Sequence, residues 1–278
     1  MSAVGLSASL LLVLGVGAAF ASDLRCPDPS RMVLIAAGPF WMGSDEGERD
    51  VARSLSSEAV RDARWFDAEL GRRRVTLPAY CLGRYLVTQR DYAAFVHATG
   101  RTPPGITRAE YEAQGFRVHD YEGTWTRFLW RGNRPPAGWE EHPVVLVSAL
   151  DAEAHCRWRG LRLPSETEWE KGVRGTDARP FPWGDRWDPD RLNSAERGPG
   201  HTTPVTRYET GISPFGLFDP VGNVFQWTAT ASGARGQQVV KGCAWDDEAG
   251  LCRPAFRHTR PATSRHFLIG FRCAGVPS

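Results

Sequence analysis

The sequence lacks several features that would assign it to a common class of protein. It contains no Cys-x-x-Cys pair, which argues against a zinc knuckle or a thioredoxin-type site. It has neither a basic stripe nor an acidic tail, and its formal net charge is only +2, so nucleic-acid binding is not indicated. Beyond the N-terminus no stretch is suited to crossing a membrane, and no linker or repeat divides the chain. One domain is the simplest prediction.

The composition favours a folded, loop-rich protein. The chain has 278 residues, of which 41% are hydrophobic and 24% charged, so a sizeable core is expected and disorder is not. Eleven Trp occur together with 29 Gly and 20 Pro. This combination favours loops pinned by aromatic side chains over a helical bundle.

The N-terminus has the pattern of a secretory signal. An apolar run covers residues 4–20 and overlaps the small-x-small sequence Ala-Phe-Ala at 19–21. We therefore predict a signal peptide at residues 1–21 and a mature domain at 22–278. An uncleaved anchor is the alternative, because no Lys or Arg precedes the run, although the run is short for a membrane span.

Export implies a secreted or periplasmic protein in an oxidising compartment, where disulfides persist. All six cysteines lie beyond residue 21. The count is even, but spacing alone does not pair Cys26, Cys81, Cys243 and Cys252.

Local patterns predict an α+β fold with little regular structure in its second half. Helices are expected at residues 88–100, 148–160 and 165–175, each opened by a Ser or Thr cap and closed by glycine. A further helix is expected within 57–70 and a strand at 144–147.

One stretch, Asp219 to Trp227, is rich in oxygen ligands. It offers side-chain oxygens at Asp219, Asn223 and Gln226 around a turn at Gly222. Calcium accepts six to eight oxygens of this kind. The alternative interpretation is a tight surface turn with an Asx cap.

Seven segments together resemble the formylglycine-generating enzyme (sulfatase-modifying factor) family. In family order they are Gly-Pro-Phe-Trp-Met-Gly-Ser (38–44), Tyr-Leu-Val-Thr-Gln-Arg-Asp-Tyr-Ala-Ala-Phe-Val (85–96), Arg-Leu-Pro-Ser-Glu-Thr-Glu-Trp-Glu (162–170), Phe-Pro-Trp-Gly-Asp (181–185), Pro-Val-Gly-Asn-Val-Phe-Gln-Trp (220–227), Lys-Gly-Cys-Ala-Trp (241–245) and Gly-Phe-Arg-Cys (270–273). The resemblance implies a C-type-lectin-like α+β domain.

The family's oxidases hold copper(I) on two cysteine thiolates, a soft ligand set that suits this ion. The second cysteine position is matched by Cys252, but the first is Asp247. The active-site serine and tryptophan positions hold Ala244 and Phe225, whereas an arginine of the substrate groove is matched by Arg260. The chain thus resembles a divergent member that lacks the first active-site cysteine.

The resemblance also implies structural features. One calcium site would use side chains of Asp219 and Gln226 with the carbonyls of Gly222 and Val224, and here Gln replaces the usual Glu at 226. A second would use Asn193 and the carbonyl of Ser194, beside a shortened loop. One family disulfide maps onto Cys156 and Cys273.

The lost thiolate has a candidate replacement. One short segment holds Asp246, Asp247, Cys252, His258 and His266, and carboxylate, thiolate and imidazole ligands suit iron or copper. The alternative is structural: the histidines would be surface loop residues, Asp247 would pair with Arg257 or Arg260, and Cys252 would be a buried apolar residue or half of a disulfide with Cys243.

Two functions therefore follow as hypotheses. The first is an exported metal-dependent oxidase acting on a protein or peptide-derived substrate, with Cys252 and Asp247 at the metal and Arg260 orienting the substrate. The second is a non-catalytic, calcium-stabilised lectin-like module that binds a protein partner or assists maturation of an exported enzyme. Fold alone does not choose between them.

Overall fold

The computed structural model describes residues 24–115 and 119–278. The predicted signal peptide at residues 1–21 lies outside the described residues. Within the described ranges, no helix is long and apolar enough to span a bilayer.

The described chain is an α+β domain built from short elements. Its strands are β1 (Met32–Ile35), β2 (Gly38–Met42), β3 (Arg73–Leu77), β4 (Tyr80–Gly83), β5 (Phe225–Ala231), β6 (Gln237–Lys241), β7 (Arg257–Pro261), β8 (Ile269–Gly270) and β9 (Ala274–Gly275). Its helices are α1 (Glu46–Ser54), α2 (Glu58–Asp62), α3 (Gln89–Thr99), α4 (Arg108–Ala113), α5 (Ala149–Trp158) and α6 (Glu166–Arg174).

The strands form three small sheets. The largest has the order β7-β6-β5-β8, in which β8 runs parallel to β5 and the other neighbours are antiparallel. A second sheet has the order β1-β4-β9, and β2 pairs with β3 alone. Because β7 lies at a sheet edge and side chains alternate along a strand, His258 and Arg260 project from the same face of that edge.

The three helices predicted from capping signals are confirmed. Thr88, Ser148 and Ser165 each accept a hydrogen bond from the backbone of the third helical residue, and each forms a complete capping box. Helix α3 ends at Gly100, whose φ of 68° is the left-handed conformation that glycine adopts without a Cβ clash. These local rules worked because each cap is satisfied within one turn of chain.

Two sequence predictions were wrong. The expected helix in 57–70 is the short α2 followed by a 3-10 turn at Trp65–Ala68, and Arg64 between them has a left-handed φ of 54° that a continuous helix cannot contain. Residues 144–147 are buried but do not form a strand. Leu146 has a φ of 59°, and its N–H bonds to the carbonyl of His266 instead of a neighbouring strand.

Buried tryptophans anchor the core, as the composition suggested. Trp125, Trp169 and Trp227 are each fully buried. Their indole N–H groups donate to His119 O (3.1 Å), Gln226 Oε1 (2.8 Å) and Val147 O (3.0 Å) respectively. A buried indole N–H needs such an acceptor. Each ring therefore packs in the apolar core and also holds one backbone or side-chain oxygen in place.

All six cysteines are paired. The disulfides are Cys26–Cys81, Cys156–Cys273 and Cys243–Cys252. The second is the pair that the family resemblance implied. Three disulfides in one domain are typical of proteins that fold in an oxidising compartment.

Acid should destabilise this fold partly through His155. Its side chain is 2% exposed and stacks on Tyr92, and burial lowers its pKa to about 4. The unfolded chain binds a proton near pH 6.5 and the folded chain does not, so stability is lost as pH falls from 6.5 to 4, by up to about 3 kcal/mol from this group.

Urea unfolding of the wild type and His155→Phe at pH 7, 5.5 and 4 measures this contribution. The Phe variant should lose less stability between pH 7 and 4 than the wild type. Parallel losses in the two proteins would show that His155 does not contribute.

Candidate functional site

A cavity of about 230 Å³ lies at the exposed edge of the largest sheet. His258 and Arg260 reach it from β7, and Phe225 reaches it from the start of β5. Acidic residues 246–248 reach it from the loop that follows β6. The cavity thus collects side chains from segments far apart in the sequence, including most of the residues predicted to form a redox site.

Aromatic rings form much of the wall. Trp65, from the 3-10 turn after α2, stacks on His258 with ring centroids 5.9 Å apart and planes 20° apart. Trp125 meets His266 edge to face at 4.6 Å. Trp65 is 39% exposed, so it closes the cavity while remaining partly in solvent.

Each of the three acidic side chains is fixed by one hydrogen bond. Asp246 Oδ2 lies 2.7 Å from His119 Nε2, Asp247 Oδ2 accepts the Ala244 N–H at 2.6 Å, and Glu248 Oε2 accepts the Ser57 N–H at 2.6 Å. The carboxylates are therefore held in place before any ligand arrives.

Burial controls the charge states inside the cavity. It raises the pKa of Asp247 well above its usual range, with the charge of Asp246 adding to the effect. It lowers the pKa of His258 to about 4 and that of His266 to about 3, so both imidazoles are neutral at pH 7. Burial also lowers the pKa of Arg260, and the charge of Asp247 opposes that shift.

Cys252 does not take part in this cavity. Its sulfur is bonded to Cys243, both residues are fully buried in the core, and Cys252 is not among the lining residues. A disulfide sulfur is not a thiolate, so the predicted catalytic and metal-binding role of Cys252 does not fit this structure. The structural alternative, a Cys243–Cys252 disulfide, is the one that the chain forms.

The predicted redox ligands do not converge on one point either. In the described ranges, the only three His, Cys, Asp or Glu ligand atoms within 4.8 Å of one another belong to His155, Cys156 and Cys273. Two of those atoms are disulfide sulfurs. Asp247, His258 and His266 line the same cavity, yet they do not present a formed three-ligand set for copper or iron.

Removing the Cys243–Cys252 disulfide should lower the free energy of unfolding and leave metal binding unchanged. The bond closes a loop of only nine residues, so the double variant Cys243→Ala, Cys252→Ala should unfold about 2–3 kcal/mol more easily. Denaturant unfolding measures the loss, and metal analysis of both proteins after copper exposure provides the control. Bound copper that disappears only in the double variant would restore Cys252 as a ligand.

Comparison with known proteins places this architecture in a family. Residues 19–276 match the model of the sulfatase-modifying factor enzyme 1-like domain. The chain belongs to this family. The mouse protein named inactive C-alpha-formylglycine-generating enzyme 2 is 32% identical over 298 residues, covering 90% of each chain. The formylglycine-generating enzyme of Thermomonospora curvata is 31% identical, covering 88% of this chain and 93% of the relative.

A solved structure supports the fold. PvdO from Pseudomonas aeruginosa superimposes with a TM-score of 0.66 at 24% identity, covering 88% of this chain and 94% of that one. The fold is therefore that of the formylglycine-generating enzyme family, a C-type-lectin-like α+β domain. The family contains both oxidising enzymes and a relative named inactive, so membership does not decide the chemistry.

The first calcium site that the family resemblance implied fits its residues poorly. Gln226 Oε1 already accepts from Trp169 Nε1 (2.8 Å) and Arg272 Nε (2.7 Å). Its Nε2 donates to the carbonyls of Asp219 (3.1 Å) and Pro220 (3.4 Å). An amide nitrogen cannot ligate calcium, so the Glu-to-Gln difference puts a donor where the family has an oxygen.

The other members of that set are also engaged. Asp219 Oδ2 accepts from Asn223 Nδ2 at 2.8 Å, and the carbonyl of Gly222 accepts from the N–H of Val224 at 2.8 Å. Val224 is fully buried directly before β5. Asp219 Oδ2 and the carbonyl of Gly222 thus each already accept a hydrogen bond from the protein, which disfavours their use as ligands of an ion.

The second implied calcium set lies directly against the loop at Gly198. The N–H of Gly198 donates to the carbonyl of Ser194 at 2.9 Å. A methyl group added at Gly198 would lie only 2.1 Å from Asn193 Oδ1 and 2.6 Å from that carbonyl. The Gly198 backbone thus packs closely on Asn193 Oδ1 and on the carbonyl oxygen of Ser194. Asn193 Oδ1 itself has no hydrogen-bond partner.

We expect the stability of this chain to be independent of calcium. Adding calcium after chelation should shift the melting temperature by less than about 1 °C, whereas an ion at 100 times its Kd would add about 2.7 kcal/mol and several degrees. Differential scanning fluorimetry measures the shift.

Gln226→Glu is the matched variant for this experiment. Its added oxygen would face the carbonyls of Asp219 and Pro220 without a donor, so a cation should become favourable there. A calcium-dependent rise of the melting temperature in the wild type would contradict the expectation that its stability is independent of calcium. A rise confined to the Gln226→Glu variant would support that expectation.

Several residues of the cavity were not predicted from the sequence, among them His119, Trp65 and Glu248. His119 and Trp65 lie far from residues 246–266 in the chain, and Glu248 had no assigned role. No local signal pointed to His119 or Trp65, because both reach the cavity from irregular segments. Glu248 could have been found from its place beside Asp246 and Asp247.

Proposed function

We propose that this chain is an exported, non-oxidising member of the formylglycine-generating enzyme family that binds a peptide segment of a protein partner. The ligand site is the cavity at the edge strand β7 together with the groove that continues from it. The main support is the disulfide of Cys252. Because its sulfur is bonded to Cys243 in the core, it is not a thiolate ligand, whereas the cavity is present without it.

The groove supports a ligand longer than one side chain. A shallower cavity of about 660 Å³ adjoins the first, and Arg260 lines both. Its other lining residues include hydroxyl and amide side chains of Thr259, Ser264 and Gln114. Gln114 Oε1 accepts from Ser264 Oγ at 2.6 Å, which holds this polar wall in place. Polar groups spread along a groove suit the repeating donors and acceptors of a peptide backbone.

The comparisons support a protein ligand. Relatives at about 30% identity include formylglycine-generating enzymes, which act on protein substrates. The relative named inactive covers the same length of chain. The three disulfides of this chain support its export.

The second candidate function is a metal-dependent oxidase without the thiolate pair. It is favoured by Asp247, His258 and His266, which line one cavity with Arg260. Neutral imidazoles and a carboxylate are the donor types that iron and copper accept. This function ranks second because the ligand atoms of these three residues do not all lie within 4.8 Å of one another.

A cysteine-oxidation assay separates the two functions. The chain is incubated aerobically with a cysteine-containing sulfatase peptide and copper(I) or iron(II), beside the Thermomonospora enzyme as positive control. Mass spectrometry should show unchanged peptide with this chain. Conversion at a rate comparable to that of the control would overturn the proposal and favour the oxidase.

Binding is tested with a variant that fills the cavity. Val60 lines it from α2, a helix without buried residues, so Val60→Trp should block the cavity without unfolding the protein. Binding to a peptide array should fall at least about tenfold, a loss of about 1.4 kcal/mol. Val276→Trp, at a valine that is 73% exposed, is the matched control and should bind normally. Equal binding by both variants would place the peptide elsewhere.

A further inference from the structure

The size of the inner cavity limits what can enter it. Its volume of about 230 Å³ is below the range of roughly 300–1,000 Å³ typical of sites that enclose a whole small molecule. The outer groove is larger and more open. A peptide would therefore lie in the outer groove and place a single side chain in the inner cavity.

The charge of the cavity favours a cation. Three carboxyl groups, those of Asp246, Asp247 and Glu248, line it against one guanidinium, that of Arg260, so acidic side chains outnumber arginine in the lining. Burial favours the neutral form of Asp247, which leaves Asp246 and Glu248 as the carboxylates that a cationic guest can contact. An anionic side chain would meet both of these at short range in a partly dehydrated space.

The geometry of Glu248 and Asp246 is suited to that role. Glu248 is held by the Ser57 N–H through Oε2 alone, and Asp246 is held by His119 through Oδ2 alone. Because each carboxylate is fixed through one oxygen, little side-chain entropy remains to be lost when a cation binds.

The aromatic walls specify the rest of the side chain. Trp65, Trp125 and Phe225 line the same cavity as the acids. Lys and Arg have apolar stems that pack on such surfaces, and their charged ends are attracted to aromatic faces. A short polar cation would leave this apolar wall uncovered.

We infer that the inner cavity accepts a basic side chain, of the lysine type, presented by the peptide that the proposed function places in the groove. This inference rests on the proposed function and names its ligand class. It assigns recognition to Glu248 and Asp246, and the apolar contact to Trp65.

The test compares peptides that differ only in one side chain. Blocked Gly/Ser heptapeptides carry lysine, norleucine, Nε-acetyl-lysine or glutamate at the centre. Calorimetry or tryptophan fluorescence measures their Kd values on the full mature chain. The lysine peptide should bind at least about tenfold more tightly than the norleucine peptide, and the glutamate peptide should bind most weakly.

Two variants assign the effect to the cavity. Glu248→Gln keeps an oxygen for the Ser57 N–H and removes the charge, so it should bring the lysine peptide to within about threefold of the norleucine peptide. Glu209→Gln removes an exposed carboxylate that does not line the cavity and should leave the preference unchanged.

The outcomes are distinguishable. Equal Kd values for lysine and norleucine peptides, or tighter binding of the glutamate peptide, would overturn the inference while leaving peptide binding intact. A preference that survives Glu248→Gln would also overturn it. Failure of these peptides and of the peptide array to bind would remove the proposed function itself.

Discussion

The structure depends on one buried guanidinium. Arg272 is fully buried, and its N–H groups donate to Gln226 Oε1 (2.7 Å), to the carbonyls of Gly83 (2.9 Å) and Arg84 (3.3 Å), and to those of Phe218 (2.8 Å) and Asp219 (2.7 Å). These acceptors lie at the end of β4, in residues 218–219 and in β5, so the side chain ties three segments to the C-terminal region. Every donor is matched, which is the condition under which a buried charge is tolerated. The same contacts occupy Gln226 and explain why its oxygen is not open to an ion.

A second buried network positions the wall of the cavity. Arg253 bonds to Glu48 (3.0 Å) and to Glu69, and Arg174 also reaches Glu48 (3.2 Å). Glu48 belongs to α1, and Glu69 directly follows the 3-10 turn that carries Trp65. The segment from α1 to Glu69 is thus held to the core at both ends, while α2 between them has no buried residue. The ion pairs at the ends keep Trp65 against His258, and the middle of the segment stays at the surface.

The cavity and the neighbouring disulfide together define the site. Asp247 lines the cavity, and Cys252 pairs with Cys243 instead of facing it. The result is a cavity lined by acidic and aromatic side chains, in which the imidazoles of His258 and His266 are neutral at pH 7. In the adjoining turn, Gln226 and Gly198 hydrogen-bond to the carbonyls of Asp219 and Ser194 respectively.

The sequence by itself determined the family, the fold class and the three capped helices, because motif order and cap residues act over a few neighbouring positions. It also indicated Asp247, His258 and His266 as one group of candidate site residues. Only the tertiary structure decided that Cys252 pairs with Cys243, and that His119 and Trp65 join the cavity. Both outcomes depend on contacts between segments that are distant in the sequence. The packed core brings these segments together, and no local sequence pattern predicts that. The break at Arg64 and the turn at Leu146 were missed for the same reason: tertiary packing held each in a backbone conformation that its own sequence disfavours.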